Sequence, residues 1–267
     1  MILPENITEK WLAAGSSPID WCEENYIVSS NIAEFTNTFS NVGFIIPPLY
    51  LWQSRSWHSY CRLVSIGPFV FYSLMMFTGI FSVYFHASLS FLGQLLDEVS
   101  ILWLTPIGYA FFTPKKYRPP FLSDATSMVL SVIVSVLLTA CWFIDPALNT
   151  VWMFPMLIPV FLIGYRELPT LSKGAPLTHG LLASVFGFIS VTCWLSDRFM
   201  CNHILNAGFP GLHFIWHLSI CLCSHHGITV LAYIKAVSDA PQLRTTFRRA
   251  PNLPFGFPFI HCQVKTS

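Results

Sequence analysis

Seven long apolar runs, separated by short polar stretches, restrict the fold of this 267-residue chain more than any other feature of its sequence. A helix that crosses a bilayer needs about 20 mostly apolar residues, and most of the runs reach that length. In lipid the backbone must satisfy its own hydrogen bonds, so runs of this length form helices. The pattern predicts an all-α fold, a bundle of seven transmembrane helices over residues 32–52, 63–85, 92–112, 127–143, 151–165, 178–195 and 211–236.

The composition agrees with a membrane protein. Only 10% of the residues are charged and 54% are hydrophobic, whereas about a quarter of a soluble chain is charged. The formal net charge is +1 and no basic domain stands out, which argues against a nucleic-acid partner. We expect three segments: an N-terminal segment over residues 1–31, one seven-helix domain over residues 32–238, and a proline-interrupted tail over residues 239–267 that lies outside the bundle.

Lysine and arginine predict the orientation of the bundle. With seven spans, Lys10 and Arg198 lie on the side of the N-terminus, and the other twelve of the 14 cations lie on the opposite side. Because cytosolic loops carry the excess of positive charge, the N-terminus is expected to be luminal and the tail cytosolic. We expect a multi-pass protein of the endomembrane system, in the endoplasmic reticulum or, as the alternative, the Golgi. Asn6 begins an Asn-Ile-Thr sequon on the luminal side and is a candidate for glycosylation.

Polar and ionisable side chains collect in the luminal leaflet of this topology. Ser82 and His86 stand at i and i+4 near the end of the second run, and Asp97 follows early in the third. His213 and His217 have the same spacing at the start of the last run, so both rings leave one helix face. Ionisable groups are costly in hydrocarbon, and a set of them predicts a functional site.

The histidines of this leaflet predict a zinc site. A catalytic zinc typically has three protein ligands and a water, and neutral imidazole is a suitable ligand. The alternative is that His86, His213 and His217 form hydrogen bonds between helices. A third histidine and an aspartate in the same leaflet favour zinc. His225 and His226, deeper in the last run, are interpreted as polar groups of the bundle.

Ser82 and Asp97 each have two interpretations. The Ser82 hydroxyl either bonds to a backbone carbonyl of its own helix or stabilises an oxyanion beside the metal. Asp97 either orients a histidine or acts as a base toward water. Its neighbour Glu98 points about 100° away around the helix, so only one of the two carboxylates can face the site. The stripe that Gln94 and Ile101 form with Asp97 favours Asp97 without excluding Glu98.

The N-terminal segment carries oxygen ligands of the kind that calcium prefers. They are the side chains of Asp20, Glu23, Asn25 and Glu34 and the backbone carbonyl of Trp21. The spacing is not that of an EF-hand, so spacing alone favours the alternative, an acidic tail that caps the first membrane helix. The position of Glu34 inside the first turn of that helix favours a calcium site instead.

Two cysteines, Cys22 and Cys201, fall on the predicted luminal side, where disulfides persist. A bridge between them would tie the N-terminal segment to the end of the sixth helix. The other six cysteines lie within helices or in the cytosolic half, and we expect them to be free.

The ordered motifs of the chain resemble those of the alkaline ceramidases, seven-helix intramembrane hydrolases of the same broad superfamily as the adiponectin-receptor type proteins. The resemblance extends from about residue 15 to residue 259, nearly the whole chain. Its motifs are Asp20-Trp21-Cys22-Glu23-x-Asn25-Tyr26, Ala33-Glu34-Phe35-x-Asn37-Thr38, Tyr84-Phe85-His86-x-x-Leu89, Gln94-Leu95-Leu96-Asp97-Glu98, Ser196-Asp197-Arg198 and His213-x-x-Trp216-His217.

This resemblance implies a zinc-dependent amidase that hydrolyses ceramide to a sphingoid base and a free fatty acid within the membrane. Its partners would be ceramide and membrane lipids, with no protein partner implied. The alternatives are a lipid-sensing receptor of the adiponectin-receptor type and a hydrolase that remodels another lipid. The resemblance implies zinc on His86, His213 and His217, catalytic roles for Ser82 and Asp97, calcium on Asp20, Trp21, Glu23, Asn25 and Glu34, and a disulfide between Cys22 and Cys201.

Overall fold

The computed structural model describes residues 5–171, 174–249 and 256–265. Most of these residues are helical, and a short 3₁₀ helix spans Lys115–Tyr117. The side chain of Asn6, the glycosylation candidate, lies outside the described residues. The helices are α1 Glu5–Leu12, α2 Phe35–Ser40, α3 Val42–Gln53, α4 Arg55–Leu63, α5 Gly67–Ser88, α6 Phe91–Phe112, α7 Asp124–Ile144, α8 Ala147–Arg166, α9 Leu168–Leu171, α10 Ala175–Phe199, α11 Cys201–Asn206 and α12 His213–Asp239.

Five helices in the described part of the chain are long and apolar enough to cross a membrane. They are α5, α6, α7, α10 and α12, and they coincide with five of the seven predicted runs. The prediction of a helical membrane protein is therefore confirmed.

The other two predicted spans contain prolines within their helices. The first run is divided between α2 and α3, and α3 contains Pro47 and Pro48. The fifth run lies in α8, which contains Pro155 and Pro159. A proline inside a helix removes a backbone donor and crowds the preceding turn. Seven spans and the orientation of the termini stay predictions.

The tail forms an antiparallel hairpin of strands β1 Leu243–Arg249 and β2 Pro258–Val264. Leu243 pairs with Val264 at one end of the register and Arg249 with Pro258 at the other. Strand β2 packs on α4, and the Cys262 N–H donates to Ser59 Oγ at 3.0 Å. The expectation of an entirely helical chain was wrong here, because the tail forms strands and alternate residues of β2 are buried. That the tail lies outside the bundle stays a prediction.

The chain divides into two compact units. The first consists of Met1–Ile46, Met75–Ile101 and Phe186–Leu222, and it contains every predicted catalytic and metal-binding residue. The second consists of Pro47–Leu74, Leu102–Val185 and Cys223–Ser267.

The second unit buries a set of polar side chains as hydrogen-bonded pairs. Tyr72 Oη lies 2.5 Å from His225 Nδ1, and His179 Nδ1 lies 2.9 Å from His226 Nδ1. Buried polar groups are normally satisfied in this way. These contacts agree with the interpretation of His225 and His226 as polar groups of the bundle.

Candidate metal centre

A tight corner joins α5 to α6 and brings the end of one helix to the start of the other. Leu89, the first residue after α5, has a positive φ of 48°. Ser90 caps α6, because its Oγ accepts the Gly93 N–H at 3.1 Å. A Cβ at Gly93 would lie only 2.8 Å from Phe85 Cα, so the close approach of the two helices requires glycine. The corner lies between Ser82 and His86 on α5 and Asp97 on α6.

The carboxylate of Asp197 anchors the start of α12. Its Oδ1 accepts the N–H groups of Leu212 and His213, and its Oδ2 accepts the Cys22 N–H at 3.1 Å. Gly211, with a φ of 126°, passes so close that a Cβ there would lie 3.2 Å from Asp197 Oδ1. The sequence analysis named Asp197 within the Ser196-Asp197-Arg198 motif but did not predict this role, since the partners of Asp197 are backbone groups of other segments.

Three buried histidines lie close together, one near the end of α5 and two at the start of α12. Nitrogen atoms of His86, His213 and His217 lie within 4.8 Å of one another, close enough to share a metal ion. Their exposed fractions are 0%, 2% and 0%. The ring of Trp21 stacks on His213 with a centroid distance of 3.6 Å. The structure therefore brings together the three residues that were predicted to bind zinc.

Several polar atoms of the histidine group and of Asp97 lack hydrogen-bond partners, and they indicate whether these residues fit a metal ion. His86 Nδ1 bonds to Glu34 Oε2, but His86 Nε2 is buried with no hydrogen-bond partner among the described residues. The same holds for His213 Nδ1 and Asp97 Oδ1. Such atoms are rare in proteins, and a zinc ion with its water would satisfy them. Three neutral imidazoles are also the ligand set of a catalytic zinc, so the residues fit this ion.

Ser82 and Asp97 lie beside the histidines. Ser82 Oγ is 3.5 Å from His217 Nε2, and the Ser82 hydroxyl also interacts with the Asp97 carboxylate. Both side chains are buried. Glu98 is only partly buried and accepts a hydrogen bond from Gln94 Nε2 at 2.9 Å. Of the two neighbouring carboxylates, Asp97 is the one at the histidines.

Four of the five predicted calcium ligands, Asp20, Trp21, Asn25 and Glu34, contact one another. The Trp21 N–H donates to Glu34 Oε1 at 3.1 Å, and Asn25 Nδ2 donates to the Asp20 carboxylate at 3.1 Å. Burial raises the pKa of the Asp20 carboxyl above its ordinary value, and the nearby negative charge of Glu34 adds to this shift. Asn25 Oδ1 is buried without a partner in the described chain.

The fifth residue, Glu23, bonds to the start of α2. Its carboxylate accepts the backbone N–H groups of Thr36 at 2.5 Å and Asn37 at 2.7 Å. A carboxylate is favourable there because the first N–H groups of a helix lack partners within the helix. For this residue the structure shows the capping role that sequence reasoning gave as the alternative.

Glu34 contacts both Trp21 of the N-terminal segment and His86. One oxygen accepts the Trp21 N–H, and the other bonds to His86 Nδ1 and accepts Asn37 Nδ2 at 3.0 Å. The side chain is completely buried. A change in the N-terminal segment can therefore reach a histidine through a single carboxylate.

The disulfide between Cys22 and Cys201 is present, with the two Cα atoms 5.3 Å apart. It joins the N-terminal segment to the start of α11, the short helix that follows α10. The other six cysteines are free.

Known proteins are similar to this chain over nearly its whole length. The Ceramidase family model matches residues 13–259. The alkaline ceramidase of Drosophila melanogaster is 36% identical over 254 residues, which cover 93% of this chain and 89% of the relative. Alkaline ceramidase 1 of Homo sapiens is 35% identical over 251 residues, which cover 92% and 94%. The alkaline ceramidase of Caenorhabditis elegans is 29% identical over 258 residues. The chain belongs to the alkaline ceramidase family.

Proposed function

We propose that this protein is a zinc-dependent amidase that hydrolyses ceramide to a sphingoid base and a free fatty acid within the membrane. The observation that carries the proposal is the buried group of His86, His213 and His217 with Ser82 and Asp97 beside it. Family membership supports the substrate, since the relatives carry the name alkaline ceramidase. A structural metal site would need the histidines but neither the serine nor the aspartate.

In the proposed reaction, His86, His213 and His217 hold the zinc ion. When bound, zinc supplies Lewis acidity and lowers the pKa of a water toward about 7. Asp97 accepts a proton as the water oxygen bonds to the amide carbon, and it returns a proton to the nitrogen as the carbon–nitrogen bond breaks. Ser82 donates a hydrogen bond to the developing oxyanion, a contact typically worth about 3 kcal/mol. Burial of these groups keeps bulk water out and strengthens the contacts.

The proposed topology has seven spans, a luminal N-terminus and a cytosolic tail, in the endoplasmic reticulum or the Golgi. The excess of lysine and arginine on the side of the tail supports this orientation. It places the site in the luminal leaflet. Since ceramide is itself a lipid, it can reach such a site laterally from the bilayer.

Purified protein tests the proposed function directly. We expect about one zinc per chain in a metal analysis, and release of fatty acid from a ceramide chain-length series followed by mass spectrometry. Phospholipids and glycolipids are assayed beside the ceramides in the same way. Release from one of those lipids and none from ceramide would favour a remodelling hydrolase, and no release from any lipid would favour a receptor.

We also propose that Asp20, Trp21, Glu23, Asn25 and Glu34 form a calcium site that supports the zinc site through Glu34. Protein freed of both metals is expected to bind zinc about 5- to 150-fold more weakly without calcium than with it, the usual range of coupling between two binding sites, and therefore to be less active at limiting zinc. Calcium titration of the steady-state rate measures this effect.

Two variants control the calcium experiment. Asp20→Asn is expected to weaken the calcium response, because it removes a ligand charge. Glu24→Gln alters an exposed acidic neighbour and is expected to leave the response unchanged. Equal effects of both variants, or a rate that does not depend on calcium, would contradict the proposed calcium site.

A further inference from the structure

Ser40, the last residue of α2, contacts one of the three histidines. Its Oγ lies 2.7 Å from His217 Nδ1 and 2.9 Å from the backbone oxygen of Asn37. Ser40 is 9% exposed, Asn37 2% and His217 0%. The sequence analysis did not select Ser40, which follows the Ala33-Glu34-Phe35-x-Asn37-Thr38 motif by two residues.

The two contacts of Ser40 determine which ring nitrogen of His217 carries hydrogen. A hydroxyl has one hydrogen to donate and two lone pairs that accept. The carbonyl of Asn37 can only accept, so the Ser40 hydrogen goes to that oxygen. Ser40 then accepts from His217, whose Nδ1 carries the hydrogen. The lone pair of His217 is left on Nε2, the nitrogen that faces Ser82 Oγ at 3.5 Å.

We propose that Ser40 is a positioning residue that holds His217 in the tautomer and ring orientation needed to bind zinc, an inference that rests on the zinc site of the proposed function. A histidine ligand presents a lone pair on one nitrogen while the hydrogen bond of the other nitrogen fixes the ring. Ser40 does this with a neutral group, so it adds no charge to the site.

The short helix α2 thereby orients two of the three histidines from its two ends. Glu34, the residue before the helix, bonds to His86 Nδ1, and Ser40 at the other end bonds to His217 Nδ1. Asn41 Nδ2 also donates to the Asn37 oxygen, at 2.9 Å, which holds that oxygen in place for Ser40. The hydroxyl of Ser40 therefore transmits the position of α2 to the last membrane helix.

The test compares zinc affinity in three variants of the full-length purified protein. Ser40→Ala is expected to bind zinc about 10- to 100-fold more weakly, the usual effect of removing a group that orients a metal ligand. Ser40→Thr keeps the hydroxyl and is expected to restore most of the affinity. Thr38→Val is the matched control: Thr38 Oγ1 donates to the Glu34 backbone oxygen on the same helix, so its loss is expected to leave zinc affinity unchanged. Competition with a chromophoric chelator measures each affinity.

The melting temperature of each metal-free variant separates positioning from a purely structural role. If Ser40→Ala lowers this temperature no more than Thr38→Val and yet weakens zinc binding, the inference holds. Equal zinc affinity of wild type and Ser40→Ala, or equal losses in Ser40→Ala and Thr38→Val, would overturn it. If the alanine variant does not fold, Ser40→Cys, whose sulfur is a weak acceptor, is expected to show the same loss.

Wild type and His217→Ala in the same experiment separate this inference from the proposed function. Wild type that binds no zinc would overturn the proposed metal site and the inference with it. Wild type that binds zinc, a His217→Ala variant that does not, and a Ser40→Ala variant with wild-type affinity would overturn the inference alone.

Discussion

Replacement of His217 by alanine is expected to remove both the bound zinc and the hydrolysis of ceramide. The variant keeps two histidines, fewer than the three protein ligands of a catalytic zinc. We expect the rate to fall by well over about 10²-fold, the lower end of the loss from removing one electrostatic contact to a transition state. Metal analysis of the purified variant and mass-spectrometric measurement of released fatty acid check the two losses together.

An exposed histidine of the same unit provides the control for this experiment. His203 lies on α11 at the surface, so His203→Ala is expected to retain both zinc and activity. Ceramide turnover by zinc-free His217→Ala at the wild-type rate would rule out the proposed role of the metal.

Asp97→Asn is expected to retain zinc but to lose about 10²- to 10⁴-fold in kcat, the usual contribution of a positioned acid or base. The amide keeps the size of the carboxylate and can still bond to Ser82, but it cannot accept a proton from water. Steady-state kinetics on ceramide, with zinc content measured in the same preparation, separate a chemical defect from a loss of metal.

The adjacent carboxylate makes a matched control for Asp97. Glu98→Gln changes the carboxylate of the next residue of α6, which accepts a hydrogen bond from Gln94, to an uncharged amide. We expect its kcat to stay within a few-fold of wild type. A loss in Glu98→Gln as large as that in Asp97→Asn would show that general electrostatics, and not proton transfer by Asp97, explains the effect.

The helical membrane architecture was predictable because long apolar runs and missing charge are properties of the sequence itself. The interruption of the first run was not, although residues 34–41 are more polar than the rest of the run. The division into α2 and α3 depends on local backbone geometry. The hairpin of the tail was missed for a similar reason. Its strands have seven residues each, and their burial depends on α4 and on their pairing with each other.

The candidate site was predictable where helix spacing and topology place residues in one leaflet, as for His86, His213 and His217. Residues that act through contacts between distant segments were harder to find. Asp197 bonds to backbone N–H groups, which every sequence offers everywhere, and Ser40 depends on the rotation of α2 toward α12. The sequence marks such residues only as polar side chains within an apolar run such as 32–52. That criterion applies to Asn37 and Asn41 as well as to Ser40.

The tight corner at Gly93 also has a consequence for when, during synthesis of the chain, the enzyme can become active. Ser82, His86 and Asp97 are close in sequence, so their arrangement needs only the α5–α6 pair. His213 and His217 lie near the start of α12, the last long helix to leave the ribosome. A nascent chain that ends before α12 has one of the three histidines, too few for the proposed zinc site. Hydrolysis of ceramide would therefore begin only after the whole membrane domain has been made and inserted.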